Sequence, residues 1–197
     1  MKYNVKNGLK KCYVAKVMGA GTWDTPVELG DLIEISVSAS ENSVSLYGGN
    51  GVIMVDGALG EIDTTISIPA LSEENEALLF GHKMATGGGL IKSSTDVKPY
   101  FALLFEQTSK NSETGAEITD YITLFKGRFN IAERKGKTKE GAPELQTMSL
   151  SGKFMPDVES GIWMHVVSSD SKDFDAVTHA TKWTKTVEFP TEKVVTP

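Results

Sequence analysis

The sequence contains a single cysteine, Cys12, among its 197 residues. An intrachain disulfide is therefore excluded, and we expect folding in a reducing cytoplasm or without regard to redox state. No apolar run approaches the roughly 18 residues that a membrane-spanning helix needs. The basic stretch at the start lacks the continuous apolar segment and the cleavage site of a signal peptide. We therefore expect no disulfide framework, no transmembrane helix and no secretion signal.

Positive charge is in the minority, with 20 lysines and arginines against 26 aspartates and glutamates and a formal net charge of −6. A general nucleic-acid-binding protein needs a basic footprint, so the balance argues against this class. A basic cluster runs from Arg128 to Lys139, and Glu133 lies within it. We interpret this cluster as a solvated hairpin loop. The alternative is a charged contact with an acidic patch on a neighbouring subunit.

No catalytic or metal-binding frame is recognisable in the sequence. Residues 136–138 read Gly-Lys-Thr, like the end of a phosphate-binding loop, but that motif needs a glycine where this chain has Ile131. The three histidines have no metal-ligand spacing among themselves or with Cys12. We interpret Cys12 as a half-buried strand residue. The sequence predicts no enzyme, no cofactor and no metal site.

Alternation with a period of two runs through much of the chain. The stretch "EIDTTISI" places Ile62, Ile66 and Ile68 on one face and its charged residues on the other, as a half-buried strand requires. The stretch "YFALLFEQ", at 100–107, is apolar on both faces, which predicts a strand in the middle of a sheet. Further strands are predicted at 32–38, 121–131, 145–154, 162–167 and 184–189.

One short helix is predicted in "LSEENEALLFGH". Ser72 is the expected N-cap, Glu73 and Glu74 suit the positive end of the helix dipole, and Gly81 suits the residue that ends the helix. No repeat or linker divides the chain, so we predict a single domain over 1–197. Its class is mainly β, a two-sheet sandwich or barrel-like fold with one flanking helix and long loops. Five long connections, at 39–59, 82–97, 107–118, 132–144 and 168–183, exceed the usual length and indicate contacts with a partner.

The connection at 39–59 is unusual because it is apolar and rich in glycine. Two apolar segments flank the turn "GGNG" at 48–51, and neither carries a charge before Asp56. Such a segment can form a long projecting hairpin, and an uncovered apolar strand edge is an aggregation hazard. We therefore predict that it pairs with a neighbouring molecule. The candidate interface residues are Val44, Leu46, Tyr47, Val52, Ile53, Met54 and Val55.

The C-terminal stretch at 184–197, "TKTVEFPTEKVVTP", is predicted to be an extended arm. It has no evident partner in the chain, so burial should not offset its ordering entropy in a free subunit. We expect it to become ordered along a neighbouring molecule. The candidate anchors are Val187, Phe189, Val194 and Val195.

Several segments, in this order, resemble the major tail tube proteins of long, non-contractile bacteriophage tails. They are "GLKKCYVAKV", "WDTPVELGDLIEISVSAS", the hairpin with "YGGNGV", "GEIDTTISIPAL", "SEENEALLFGH", "KPYFALLFEQ" and "GRFNIAERKGKTKEGAPELQTMSLSGKF". The resemblance covers about residues 5–155. The chain departs from the family pattern after Phe154.

This resemblance implies a tail tube β-sandwich whose copies form hexameric rings that stack into a tube. It implies a virion protein of the tail, assembled in the bacterial cytoplasm, with tape measure, tail terminator and tail-tip proteins as further partners. Genome DNA would pass through the lumen without specific binding, and acidic side chains on the lumen wall would repel its phosphates. The lumen-facing candidates are Glu34, Glu61, Asp63 and Glu106.

A second interpretation needs no assembly. A monomeric β-barrel that binds a ligand or a carbohydrate would also be mainly β and would have no catalytic frame. It predicts a pocket and aromatic side chains on an open face, for which three tryptophans are available.

Overall fold

The computed structural model describes residues 3–49, 51–133, 136 and 147–191. It is mainly β, with 55% of residues in strands and 8% in helices, which confirms the predicted class. The helical elements are α1 (Glu73–Phe80) and a π-helical turn (Val177–Thr181). The strands are β1 (Asn4–Gly19), β2 (Thr22–Trp23), β3 (Val27–Asp31), β4 (Glu34–Gly48), β5 (Gly51–Ile68), β6 (Lys83–Met84), β7 (Leu90–Ile91), β8 (Phe101–Asn111), β9 (Glu117–Phe129), β10 (Met148–Phe154) and β11 (Met164–Ser168).

Nine of the strands form one antiparallel sheet, and β6 and β7 form a small second sheet. The path through the large sheet is β2-β1-β8-β9-β10-β5-β4, with β3 added to β1 and β11 added to β9. Strand β8 therefore lies between β1 and β9, as the two-sided apolar pattern predicts. The hairpin strands β4 and β5 lie at one end of the sheet.

The large sheet curls until its two ends approach each other. The connection from β3 to β4 shows this, because Leu32 donates its N–H to the Lys10 carbonyl on β1 and Ile33 donates to the Ser67 carbonyl on β5, both at 2.8 Å. The concave side encloses one core with side chains from both ends of the sheet. Its members include Cys12, Val14, Leu29, Ile62, Ile66, Leu79, Phe80, Phe101, Leu103, Phe105, Leu124, Phe129, Leu150 and Phe154. The fold is therefore barrel-like.

A second, smaller cluster lies on the opposite face of the sheet. Ala15, Ala102, Leu104 and Phe125 form it together with Val187 from the C-terminal segment. Trp23, Ile162, Trp183 and Phe189 pack against its margin. The strands β1, β8 and β9 are thus apolar on both faces because both faces are covered.

The helix has the predicted bounds and caps. The Ser72 hydroxyl accepts the Asn75 N–H at 3.2 Å, and Gly81 has a φ of 72°. This left-handed conformation favours glycine. A Cβ atom at Gly81 would also overlap the Val97 carbonyl oxygen, so the position has no room for a side chain.

The structure corrects several predicted boundaries. Residues 39–59 form the predicted hairpin and not an irregular connection, since β4 and β5 run through them. The connection predicted at 107–118 shortens to a turn, because β8 extends to Asn111 and β9 begins at Glu117. No strand forms at 184–189, because the apolar residues there fold onto the sheet instead of pairing with it. Most of the basic cluster lies outside the described residues. Arg128 lies on β9 and not in a loop, and its guanidinium carbon is 3.7 Å from the centroid of the Tyr100 ring.

Cys12 is more deeply buried than the half-buried strand position predicted from the sequence. Its side chain has no solvent exposure, and burial raises the pKa of its thiol to about 12. Because the thiolate is the reactive form, the native protein should react very slowly with a thiol reagent at mildly alkaline pH. We expect fast labelling only in denaturant. An exposed control, Val158→Cys, should gain one rapidly labelled thiol, and fast labelling of native wild type would contradict the buried placement.

Candidate functional site

The hairpin formed by β4 and β5 projects from the end of the sheet. Strand β10 pairs with β5 only over Ile62–Ile68, so beyond this point β4 and β5 pair with each other alone in the described chain. The projecting part runs from the Glu41–Leu59 pair to the Gly48–Gly51 pair, eight residue pairs in total. At a rise of about 3.3 Å per residue it extends by about 23 Å. We call residues 41–59 the outer hairpin.

A β-bulge marks the base of the outer hairpin. Between the Ala39–Ile62 and Glu41–Leu59 pairs, β5 has one residue more than β4, so Gly60 and Glu61 lie opposite Ser40. The Ser40 hydroxyl donates to the Glu61 carbonyl at 2.8 Å and fixes this geometry. A Cβ atom at Gly60 would come within 2.5 Å of the Ser40 hydroxyl oxygen, so the close approach requires glycine. Bulges increase the local twist of a strand pair and change its direction.

A second bulge lies at the tip. Strand β5 has one extra residue, Ile53, between its pairs with Leu46 and Tyr47. A Cβ atom at Gly48 would overlap the end of the Ile53 side chain, so Ile53 covers this glycine. Gly49 turns the chain with a φ of 57°, in the left-handed region. The glycines of "GGNG" therefore serve both the turn and the packing of Ile53.

The outer hairpin is apolar on both faces. Because both extra residues belong to β5, the residues of β4 alternate without interruption, and Val44 and Leu46 share a face with Met54 and the bulged Ile53. Tyr47, Val52 and Val55 lie on the other face. All seven predicted interface residues are solvent-exposed, with exposed fractions between 53% and 74%. Asp56 is the only charged residue between Asn42 and Gly60.

Such a ribbon combines two features that each favour association. A two-stranded hairpin is marginally stable in water without a further strand or a covered face. Contiguous exposed apolar surface is typical of a protein contact. The outer edge of β4 also leaves backbone N–H and C=O groups unpaired, judged from the described strands. The geometry can therefore accept a strand on its edge and apolar side chains on its faces.

The C-terminal candidates do not lie where the sequence predicts. Val187 is buried in the chain's own second cluster, and the Phe189 ring packs on Trp23 and Phe125 at centroid distances of 4.9 and 4.8 Å. Both residues therefore have partners within their own chain, which corrects the expectation of an arm without contacts there. Val194 and Val195 lie outside the described residues.

Three of the four acidic candidates lie on the outward, polar face of the sheet. Glu34 on β4 faces Ser67, and Asp63 on β5 lies between Ser38 and Lys153 on the adjacent strands. Glu61 and Asp63 alternate along β5 with buried residues that point into the core. This face is not uniformly acidic, however, because Lys153 forms an ion pair with Glu61 and lies opposite Arg128 on β9.

The fourth candidate, Glu106, is half-buried on β8. It lies 3.9 Å from the Lys10 ammonium and pairs across the strands with Tyr121. Burial raises the pKa of its carboxyl, and Lys10 and Lys11 only partly oppose this effect. Glu106 therefore lies in a partly enclosed position and is not an open wall residue.

The raised pKa of Glu106 leads to a prediction about stability and pH. A carboxyl with a raised folded-state pKa favours folding when protonated, and this contribution disappears as pH rises through that pKa. Charged Glu106 should therefore cost stability near neutral pH, and Glu106→Gln should raise the free energy of unfolding there. The gain should vanish at about pH 3, where the wild-type carboxyl is protonated. Urea unfolding at both pH values is the measurement, and Glu117→Gln, which removes the other carboxylate near Lys10, is the control. A larger gain at low pH would contradict the account.

A cavity of about 400 Å³ lies between the sheet and the C-terminal segment. Leu104, Tyr121 and His165 contribute to its sheet side, and His179 and Trp183 contribute to its cover. The indole N–H of Trp183 donates to the Thr123 hydroxyl at 2.9 Å, and His179 Nδ1 accepts the Asp175 N–H at 3.0 Å. The pKa of His165 is lowered mainly by burial and to a smaller extent by the neighbouring His179. The size suits a small ligand.

The described residues contain no cluster of three or more histidine, cysteine, aspartate or glutamate side chains arranged to hold a metal ion. Among them there is also no helix of the length and apolar character needed to cross a membrane. No known protein-family model matches the chain, and no curated protein is significantly similar to it. The projecting hairpin and the cavity are thus the two features on which a function can be argued.

The sequence pattern predicts the apolar residues of the outer hairpin, but it does not predict the residues that set the direction of the hairpin. Ser40 and Gly60 form the basal bulge, and Leu59 adds a further exposed apolar side chain. Gly60, the glycine in "ALGEID", was the available signal, since an isolated glycine inside a strand pattern often marks a bulge.

Proposed function

We propose that this chain is a structural subunit that assembles with copies of itself through the outer hairpin, as a major tail tube protein does. The product would be hexameric rings stacked into the tube of a bacteriophage tail, a conduit for genome DNA. The observation that carries the proposal is the outer hairpin, which projects by about 23 Å and is apolar on both faces. The specific assembly comes from the sequence resemblance.

Burial of the hairpin's exposed apolar side chains by another copy is the physical support for the proposal. A monomer that exposes seven large apolar side chains on one ribbon gains free energy when another surface removes them from water. A contact between two different surfaces of identical subunits repeats from one copy to the next. It forms a closed ring when the rotation that relates neighbouring copies leads back to the first copy. Closing the sheets of such a ring also removes their free edges. The hairpin then lies against a neighbour in the ring or in the next ring.

The charge distribution fits a channel through which DNA passes without binding. The chain has a net charge of −6, and Glu34 and Asp63 lie exposed on the polar outward face of the sheet. A uniformly basic wall would hold DNA strongly by releasing counterions. We propose this polar face as the lumen wall, with Lys153 and Arg128 moderating its negative charge.

Negative-stain electron microscopy of the purified protein over a range of concentrations tests the proposal. Rings or tubes of uniform diameter are the expected result. Uniform small particles at the highest concentration, together with a monomeric mass by light scattering, would overturn it. If the proposal is right, tape measure, tail terminator and tail-tip proteins are its further partners.

The cavity favours a second candidate function, a monomeric module that binds a small ligand. Aromatic and imidazole side chains line a space of about 400 Å³, and Lys182 and Glu188 add charge at its border. Trp183 fluorescence would report an occupied cavity directly. This candidate requires saturable quenching by a ligand and a protein that stays monomeric, whereas the first candidate requires neither.

A further inference from the structure

The charges along the chain are strongly segregated. Residues 1–16 contain five lysines and no acidic residue, whereas residues 17–82 contain eleven acidic residues and no lysine or arginine. The topology places β1 near one end of the large sheet and the β4–β5 hairpin at the other. Strand β1 therefore marks a basic end and the hairpin an acidic end, although β3 brings Glu28 and Asp31 next to Lys11 on β1.

The basic end has a free strand edge. Strand β3 covers β1 only over Lys11–Val14, and β2 covers it only from Val17. The backbone at Lys10 is occupied by Leu32, as described above. Over Asn4–Leu9, β1 pairs with β8 alone among the described strands.

Apolar and basic side chains accompany this free edge. Tyr3 and Val5 are exposed, with exposed fractions of 60% and 52%. Lys6, which follows Val5 on the strand, is exposed as well. The Lys10 ammonium lies 3.9 Å from a carboxylate oxygen of Glu106 and 3.9 Å from one of Glu117. The edge thus offers backbone groups, the apolar surface of Tyr3 and Val5, and the positive charge of Lys6, because Lys10 already lies against two carboxylates.

The acidic end offers the complementary set. The outer edge of β4 over Glu41–Gly48 is unpaired in the described structure and is close in length to the free part of β1. It carries Glu41, and Asp56 lies on the strand behind it. Val44 and Leu46 supply exposed apolar side chains along the same edge.

We propose that the outer edge of β4 in one copy of this chain adds as a strand to the free edge of β1, at Asn4–Leu9, in a second copy. This inference rests on the proposed self-assembly and names the surface that receives the hairpin. Each copy has one donor edge and one acceptor edge, so the contact is heterologous and can propagate from copy to copy. Main-chain hydrogen bonds supply affinity, and the side chains set the choice of edge.

Other free edges fit the hairpin less well. The edge of β3 carries Glu28 and Asp31, which would face the hairpin's carboxylates. In-register parallel pairing of β4 with β4 would bring two copies of Glu41 together, and antiparallel pairing would offer Glu41 no lysine or arginine. Like charges placed across an interface suppress association. The edge of β11 is only five residues long and has no lysine or arginine.

Disulfide trapping between differently tagged copies tests the contact. One copy carries Val5→Cys and the other carries Val44→Cys or Leu46→Cys, and native Cys12 stays in place because it is fully buried. Mild oxidation should produce mixed dimers well above the level given by the exposed control Val158→Cys. Mixed dimers no more abundant than the control, or a predominance of Leu46–Leu46 dimers, would overturn the proposal.

Charge exchange gives an independent readout. Lys6→Glu and Glu41→Lys should each raise the protein concentration needed for assembly by about fivefold, because each replaces an attraction with a repulsion. The double variant should recover most of the wild-type behaviour. Failure of recovery in a folded double variant would count against β1 as the receiving edge. If wild type assembles but these tests fail, only this inference is wrong; if wild type stays monomeric, the proposed function is wrong as well.

Discussion

Replacement of Leu46, Ile53 and Met54 by serine should give a folded monomer that no longer assembles. The three side chains share one face of the outer hairpin and are all more than half exposed. Because they contribute little to the subunit's own core, the free energy of unfolding should change by less than about 1.5 kcal/mol in total. Assembly should fall below detection, since the apolar surface that another copy would cover has become polar. Light scattering and circular dichroism of the same samples are the measurements.

A matched control removes three exposed apolar side chains elsewhere. Val97, Val158 and Val177 are exposed to a similar or greater degree and lie outside the hairpin. Their triple replacement by serine should leave assembly intact. If the control abolishes assembly equally, general surface hydrophobicity and not the hairpin drives the association. If the hairpin variant fails to fold, the segment belongs to the subunit's own core.

Truncation of Phe105 to alanine should destabilise the subunit by about 3–5 kcal/mol. Phe105 lies on β8, which pairs on both sides, and its ring is 4% exposed within the main core. The cost comes from lost apolar burial together with the cavity that a packed interior cannot refill. Denaturant unfolding should be measured on the serine-substituted hairpin variant, so that self-association does not add to the apparent stability.

Val158→Ala is the control for this measurement. It shortens a highly exposed side chain, and the free energy of unfolding should change by less than about 0.5 kcal/mol. A loss below about 1 kcal/mol for Phe105→Ala would mean that β8 is not central and that the core is wrongly placed.

The sequence predicted the elements whose signals are local. The helix was predicted from its caps, because Ser72 and Gly81 satisfy the backbone groups at its two ends. The inner part of β5 followed from alternation, because one of its faces meets the core, and β8 followed from its two-sided apolar pattern, because both of its faces are covered. Strand β10 lies within the predicted strand at 145–154. The apolar hairpin was predicted from its turn glycines and its lack of charge.

The sequence indicated a strand at Cys12 but not the extent of β1, which is one of the longest strands. The pairing of β1 with β8 shifts twice, once at Asn7 and once between Leu9 and Cys12. Each bulge adds a residue to β1, so the alternation that identifies a strand is interrupted. The adjacent lysines Lys10 and Lys11 lie at the second bulge, and two neighbouring charged residues do not fit a period of two.

The C-terminal segment also escaped prediction, for a different reason. Trp183, Val187 and Phe189 contact the sheet from an irregular segment, and their spacing fits neither a helix nor a strand. The ring partners of Phe189, Trp23 and Phe125, lie far away in the sequence, and so does Tyr13, a ring partner of Trp183. Burial of this kind depends on tertiary contacts that no local pattern encodes. The same limitation applies to the choice of edge that receives the hairpin.

Amide hydrogen exchange in the outer hairpin tests the central claim most directly. The amides of residues 41–59 should exchange rapidly at a low concentration, where the protein is monomeric, because the ribbon is supported only at its base. They should become protected at concentrations where assemblies form, while core amides of β8 remain protected throughout. Equal, fast exchange of these amides in monomer and assembly would show that no copy covers the hairpin, and it would contradict the account.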